Sequence, residues 1–231
     1  MSSLRSLRAV LFDAGNTLVF LDYDRMAQGV GAALGLAFTG QALATHAAEA
    51  ASAMERSSGT DRDRAAVYLE ALFRLAGVPA ARMGEVRDCL RRMHGERHLW
   101  CSVQQHTHDA LARLRAAGLR LGIVSNSDGR VEQALSAAGL REYFDVVIDS
   151  SLFGVEKPDP AIFRAALEAL DVAPEEALYV GDLYDVDVLG ARAAGMDAVL
   201  LAPGSVGHDR RCRTAASIDE LVDDLLVRKT P

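Results

Sequence analysis

Lysine is almost missing from this chain: of 231 residues only Lys157 and Lys229 are lysines, against 23 arginines. The imbalance names no function, but it makes any specific use of a lysine easy to trace. Cysteine is also scarce. Cys89, Cys101 and Cys212 stand far apart and outside any Cys-x-x-Cys pattern, which excludes a disulfide framework or a cysteine-built zinc site. Excess positive charge is absent too: the net charge is −7 and the pI about 5.4, so no basic face is available for nucleic acid. No run approaches the roughly 18 apolar residues that a membrane span requires. The stretch from Met1 to Arg8 has no apolar signal core before the first apolar run. These absences predict a cytoplasmic protein with no membrane partner and no nucleic-acid partner.

What the chain does have is 50% hydrophobic residues, enough for one large core, or for a core and a smaller satellite. Five short apolar runs, at 9–12, 119–124, 144–148, 177–180 and 198–201, are rich in Val, Ile and Leu without strict alternation. That is the pattern of parallel strands covered by helices on both faces. Helix-length amphipathic segments lie between the later runs, at 107–117, 129–138, 160–170 and 186–194, several of them followed by glycine. Alternating strand and helix predicts an α/β fold, a Rossmann-like doubly wound parallel sheet. Residues 20–100 break the rhythm: they show no strand and read as helices at 24–36, 40–56, 62–76 and 80–98. This is too long for a loop and predicts an α-helical insert. The expected domains are therefore 1–19 with 101–231 as the α/β core, and 20–100 as a helical cap. A closing helix is expected at 219–227, and an exposed loop at 209–213.

In a doubly wound sheet, ligands bind outside the carboxyl ends of the strands, so the residues that follow each strand matter most. The first strand delivers Asp13 into the turn Ala14-Gly15-Asn16-Thr17. Asp13 is a turn residue or a carboxylate nucleophile with amides and the Thr17 hydroxyl around it. The second delivers Ser125 and Asn126, which suit either a helix cap or donation to an anionic oxygen. Lys157 precedes Pro158, which favours an extended backbone and lets the side chain reach back to the strand ends as a fixed cation. A fourth strand ends in Gly181-Asp182, with Asp185 and Asp187 close behind. Crowded carboxylates repel unless a cation sits among them, and hard oxygen ligands point to Mg²⁺.

Taken together, Asp13 with Thr17, Ser125, Lys157 before Pro158, and Gly181-Asp182 with Asp187 resemble the haloacid dehalogenase (HAD) superfamily. The closest pattern is the branch of phosphatases with a helical cap inserted after the first strand, and the resemblance covers essentially the whole chain. It implies that Asp13 is the nucleophile and forms an aspartyl-phosphate. Lys157 would offset the charge of Asp13 and of the phosphoryl group. Thr17, Ser125 and Asn126 would bind phosphoryl oxygens. Asp13, Asp182 and the Gly15 carbonyl would hold Mg²⁺, and Asp187 would act through water or by orienting Lys157. The implied substrate is a small phosphorylated molecule, and the expected assembly a monomer or homodimer.

One departure matters. The phosphatase pattern is Asp-x-Asp, whose second Asp is the general acid and base, and here that position is Gly15. General acid–base catalysis is worth about 10²- to 10⁴-fold, so a phosphatase without it should be slow or prefer good leaving groups. Asp22, Tyr23, Asp24 and His46 are candidate replacements from the cap. A 2-haloacid dehalogenase is the alternative, because halide leaves without a proton. Such enzymes resemble Ser-Ser-Asn where this chain has Gly181-Asp182, and they need a cap arginine, for which Arg25, Arg56 and Arg62 are candidates. A phosphonoacetaldehyde hydrolase needs a cap lysine, and there is none between Phe20 and Trp100. A non-catalytic relic that holds phosphate and Mg²⁺ is the third reading. His94 and His98, spaced i, i+4, lack an acidic partner in sequence and read as the polar end of a helix, and His106 and His108 read as surface or capping residues.

Overall fold

The computed structural model describes residues 7–56, 61–202 and 212–229. Six strands form one parallel sheet: β1 (Ala9–Phe12), β4 (Arg120–Ser125), β5 (Val146–Asp149), β6 (Ala177–Gly181), β7 (Asp197–Leu201) and β8 (Arg213–Ala215), in the order β5-β4-β1-β6-β7-β8. Every pairing in it is parallel, with Ala9 beside Arg120 on one side and beside Ala177 on the other. The expected α/β doubly wound sheet is therefore present. The chain runs outward from β1 through β4 to β5 and then returns to the other side of β1 at β6. The sense of winding reverses between β1 and β6, which is where such sheets open a crevice.

Two short strands, β2 (Val19–Leu21) and β3 (Trp100–Val103), pair as a separate ribbon. They correct the expectation of a strand-free stretch up to residue 100, and at three and four residues each lacks the length that makes a strand visible in sequence. Arg213–Ala215 corrects the loop expected at 209–213: Arg213 opens the edge strand β8, whose Thr214 lies beside Leu200 of β7. Residues 209–211 lie outside the described residues.

The chain divides into two compact units, Met1–Phe20 with Ser102–Pro231, and Leu21–Cys101. The second unit is helical: α1 (Tyr23–Leu34), α2 (Gly40–Ala44), α3 (Ala47–Glu55), α4 (Asp61–Leu75) and α5 (Met83–Glu96). The single helix expected at 40–56 is thus two. Thr45 separates them, turning its hydroxyl back to the Ala42 carbonyl at 2.7 Å in competition with the helical ladder. Met26, Val30, Leu43, Leu72, Phe73 and Met83 form this unit's apolar core.

In the α/β unit the helices are α6 (Thr107–Ala116), α7 (Val131–Ala137), α8 (Ser150–Phe153), α9 (Pro160–Leu170), α10 (Leu189–Ala193) and α11 (Ile218–Lys229). Helix α9 shows how the sequence builds them. Asp159 caps it by accepting from Ala161 N at 2.8 Å, and Pro160 supplies a pre-set first turn. Ile162, Phe163, Ala166, Leu167 and Leu170 then fall on one face and are buried, each large side chain contributing about 1.5–3 kcal/mol. That docking anchors the segment carrying Lys157, whose bond to Pro158 is cis. The helix expected at 186–194 begins instead with a π-helical turn, Tyr184–Val188, before α10. Among the described residues no helix is long and apolar enough to cross a membrane.

Candidate active site

Asp13 leaves β1 with its backbone N–H bound to the Val180 carbonyl of β6 at 2.8 Å, so the first strand holds it beside the fourth motif. The turn that follows is closed by Leu18 N and Val19 N, both donating to the Ala14 carbonyl. Its left-handed residue is Asn16, with φ 54°, a conformation Asn tolerates better than most side chains. Thr17 is buried, and its Oγ1 has no hydrogen-bond partner among the described residues. A buried hydroxyl without a partner is costly unless something outside the chain satisfies it.

Lys157 lies at the middle of the array. Its Nζ donates to Asp13 Oδ1 at 2.7 Å, to Asp187 Oδ1 at 2.7 Å and to the Tyr179 hydroxyl at 3.0 Å. Asp13, Lys157 and Asp187 are 7%, 4% and 1% exposed, so these charges meet with almost no water to screen them. Burial alone would push the Lys157 ammonium down, but Asp13 and Asp187 outweigh it and hold the group well above its ordinary value. Burial pushes the Asp13 carboxyl up to about 6, with Lys157 pulling it down and Asp187 pushing it up. Asp182 is only partly covered by its residue surface, yet its carboxyl is held well above the usual range, by burial first and then by Asp13 and Asp187. One ammonium therefore serves three carboxylates. A hard divalent cation with oxygen ligands fits this donor set, and Asp13, Asp182 and the Gly15 carbonyl are the groups that would hold it.

The Asp cluster after β6 sorts by burial: Asp187 is inside, Asp182 partly covered and Asp185 exposed. The wide turn brings Asp187 back against Gly181. A Cβ at Gly181 would lie 2.3 Å from Asp187 Cγ, so only glycine leaves room for that carboxylate. Asp187 Oδ2 also accepts from Leu183 N at 2.9 Å, which closes the turn.

Ser125 ends β4 and is buried. Asn126 has a different task from the one expected of its side chain. Its Oδ1 accepts from Lys157 N at 2.8 Å and its Nδ2 donates to Lys157 O at 3.0 Å, so the amide clamps the lysine backbone. Two residues escaped the sequence reasoning. Asp149, at the end of β5, is buried and accepts from Gly129 N at 3.1 Å, Val131 N at 3.2 Å and Ser151 N at 3.0 Å. It ties the loop after Ser125 to the neighbouring strand. Its signal was available, since Asp149 follows an apolar run just as Asp13 does. Tyr179, inside β6, gave no signal except a hydroxyl in the middle of a buried strand.

The helical unit accounts for several candidates. Asp22 Oδ1 caps α1 by accepting from Arg25 N at 3.0 Å, and its Oδ2 accepts from Arg97 at 3.0 Å. Tyr23 pairs with the Tyr68 hydroxyl at 2.8 Å. The Arg25 guanidinium donates to the carbonyls of Met93, Arg97 and His98, which close the end of α5. Arg56 is exposed, and the Arg62 side chain lies outside the described residues.

Residues 7–195 match the family described as haloacid dehalogenase-like hydrolase. Mouse haloacid dehalogenase-like hydrolase domain-containing protein 3 is 41% identical over 154 residues, which is 66% of this chain and 61% of that protein. Phosphoserine phosphatase from Thermus thermophilus is 37% identical over 169 residues, 73% of this chain and 64% of that protein. The aligned part thus spans less than two thirds of these relatives' own length. Among solved structures, a HAD phosphatase from Thermococcus onnurineus superposes with a TM-score of 0.60 at 26% identity, covering 95% of this chain and 98% of that one. The sheet order, the four motifs and the match over residues 7–195 lead to one conclusion: the chain belongs to the haloacid dehalogenase-like hydrolase family.

Proposed function

We propose that the chain is a Mg²⁺-dependent cytoplasmic phosphatase acting on small phosphate monoesters, as a monomer or homodimer. The observation that carries this reading is the buried array in which Lys157, from the loop before α9, joins Asp13 after β1 to Asp187 in the turn that follows the adjacent strand β6, with Asp182 crowding it. The phosphatases among its relatives and structural neighbours support the same chemistry.

Asp13 Oδ2 attacks phosphorus while Lys157 steadies Oδ1. The bond from phosphorus to the ester oxygen breaks, and its electron pair leaves with the alcohol oxygen. Water then attacks phosphorus in the aspartyl-phosphate, releasing phosphate and restoring the carboxylate. Ser125, which is buried, and the Thr17 hydroxyl, buried and without a partner among the described residues, supply donors for the phosphoryl oxygens. Bound Mg²⁺ would add positive charge against those oxygens. Gly15 supplies no proton to the departing oxygen, so aryl phosphates, whose oxides leave unprotonated, should outrun alkyl phosphates by about 10²-fold or more.

The test is phosphate release from an aryl phosphate by wild type and Asp13→Asn, with Mg²⁺ or with EDTA. Wild type should turn over only with Mg²⁺, and the variant should fall by at least about 10³-fold. Full activity in the variant would remove Asp13 as nucleophile. A parallel incubation with 2-chloropropionate addresses the dehalogenase alternative. Chloride released in EDTA would replace the phosphatase reading, and Mg²⁺ binding without turnover of either substrate would leave the relic.

A further inference from the structure

The loop that leaves β4 carries a chemically fragile pair, Asp128-Gly129. An aspartyl side chain followed by glycine can cyclise, because glycine has no Cβ to hinder the approach. The Gly129 nitrogen loses its proton and attacks Asp128 Cγ, a carboxyl oxygen leaves as water, and a neutral succinimide ring forms. Water then opens the ring. Opening at the carbonyl that came from the backbone leaves isoaspartate, with the main chain now running through the Asp128 side chain and one methylene longer. Asp128 is exposed to the water that this second step consumes.

The fold opposes the first step at the nitrogen. Gly129 N donates to Asp149 Oδ1 at 3.1 Å, a carboxylate that is 5% exposed. Removing the amide proton would put a negative nitrogen beside a negative oxygen with little water between them, where like charges repel most strongly. The same carboxylate accepts from Ser151 N at 3.0 Å and from Val131 N at 3.2 Å, so it cannot follow the amide if the loop turns. Ser127 N donates to Ser150 Oγ at 3.1 Å, which pins the loop on the other side of the pair. At Asp128 itself, Arg130 holds Oδ2 with Nε at 3.1 Å and Nη2 at 2.8 Å, and ring closure would end that ion pair, because the ring carbonyl carries no charge.

We propose that Asp128-Gly129 is a modification site shielded by Asp149: the buried carboxylate holds the Gly129 amide and keeps the pair from becoming isoaspartate in the loop that joins Ser125 and Asn126 to α7. The extra methylene would lengthen this loop and strain the Asn126 clamp on the Lys157 backbone. The loss of turnover that follows rests on the phosphatase reading; the chemistry at Asp128 does not.

The test counts isoaspartate at position 128 by peptide mapping after ageing in warm neutral buffer. A synthetic peptide of residues 122–135 gives the unshielded rate. Folded wild type should convert at least about tenfold more slowly, and conversion at the peptide's rate overturns the proposal without any variant. Asp149→Asn and Asp149→Thr remove the charge, and each, folded by circular dichroism, should convert about tenfold faster than wild type. Leu72→Ala, in the apolar core of the helical unit, should age like wild type. Wild-type rates in the Asp149 variants, or equal acceleration in Leu72→Ala, would assign the protection to folding in general and overturn the role of Asp149. In aged Asp149→Asn, turnover of an aryl phosphate should fall in step with the isoaspartate fraction. If fresh wild type hydrolyses no phosphate ester, the functional reading fails, and the isoaspartate count still decides the proposal.

Discussion

In the helical unit the buried side chains are hydrocarbon or sulfur, with Met26, Leu43, Leu72, Phe73 and Cys89 among them. The α/β unit has an apolar core as well, but it also buries Asp13, Thr17, Ser125, Asp149, Lys157 and Asp187. Among the described residues every buried polar or charged side chain belongs to that unit. Taking charges out of water costs several kcal/mol per ion, and an apolar replacement of similar size often serves stability as well or better. The helical unit therefore has the composition that stability alone explains. The strand ends of the α/β unit do not, and their carboxylates and ammonium are better understood as kept for chemistry.

The largest expected effects set the two units against each other. Lys157→Met strips the ammonium from between Asp13 and Asp187 and should cost about 3–5 kcal/mol in urea unfolding, together with all measurable turnover. Leu72→Ala, in the apolar core of the helical unit, should cost about 2–5 kcal/mol through the cavity it leaves. Turnover per folded molecule should survive the second change and not the first. Equal losses of turnover would erase the distinction between the units.

A single methyl group sharpens the contrast. At Gly181 the added carbon meets Asp187 at 2.3 Å, so Gly181→Ala should destabilise by about 1–3 kcal/mol and lower kcat, because the carboxylate that holds Lys157 must move. At Gly95, inside α5, the same carbon meets nothing within 4 Å. Gly95→Ala should stabilise by about 0.4–1 kcal/mol, by narrowing the unfolded ensemble, and leave kcat alone. Urea midpoints and steady-state kinetics on the two variants read both effects, and a stable, active Gly181→Ala would mean that Asp187 has somewhere else to go.

How far the sequence reveals this depends on whether a residue's task is local. Five of the six strands of the main sheet were legible because a covered parallel strand needs an unbroken apolar run, as β1, β4 and β6 show. Asp13 and Asp182 follow those runs directly, and Lys157 stood out as one of two lysines. Tasks set by distant partners were not legible. Asn126 looked like an anion donor, yet its partner is the backbone of a residue 31 positions later. Tyr179 reaches Lys157 across 22 positions, and nothing in β6 marks it. Asp149 carries the same strand-end signal as Asp13 but spends it on backbone amides, so position alone cannot separate a nucleophile from a cap. The short edge strand β8 gave no pattern, because three residues are too few to show a period.

The smallest expected effect contrasts the buried array with an ion pair in water. Arg8 Nη1 meets Glu176 Oε2 at 3.0 Å, both partly exposed, and the same carboxylate oxygen accepts from Ala173 N at 3.1 Å. The Ala173 amide first, and Arg8 second, hold the Glu176 carboxyl below its ordinary value of 4.5. Because the folded pKa is the lower one, this group's contribution to stability is complete above the unfolded value of 4.5 and disappears as the pH falls through the folded one. Glu176→Gln keeps an acceptor for Ala173 but loses the charge. The difference in urea midpoint between wild type and variant should be small at neutral pH, shrink in added salt, and vanish in acid. Lys157→Met, whose ion partners are screened from water, should show a loss that salt scarcely alters. Equal salt sensitivity in the two variants would mean that the array at the strand ends is open to solvent, and the contrast between buried and exposed charge would fail.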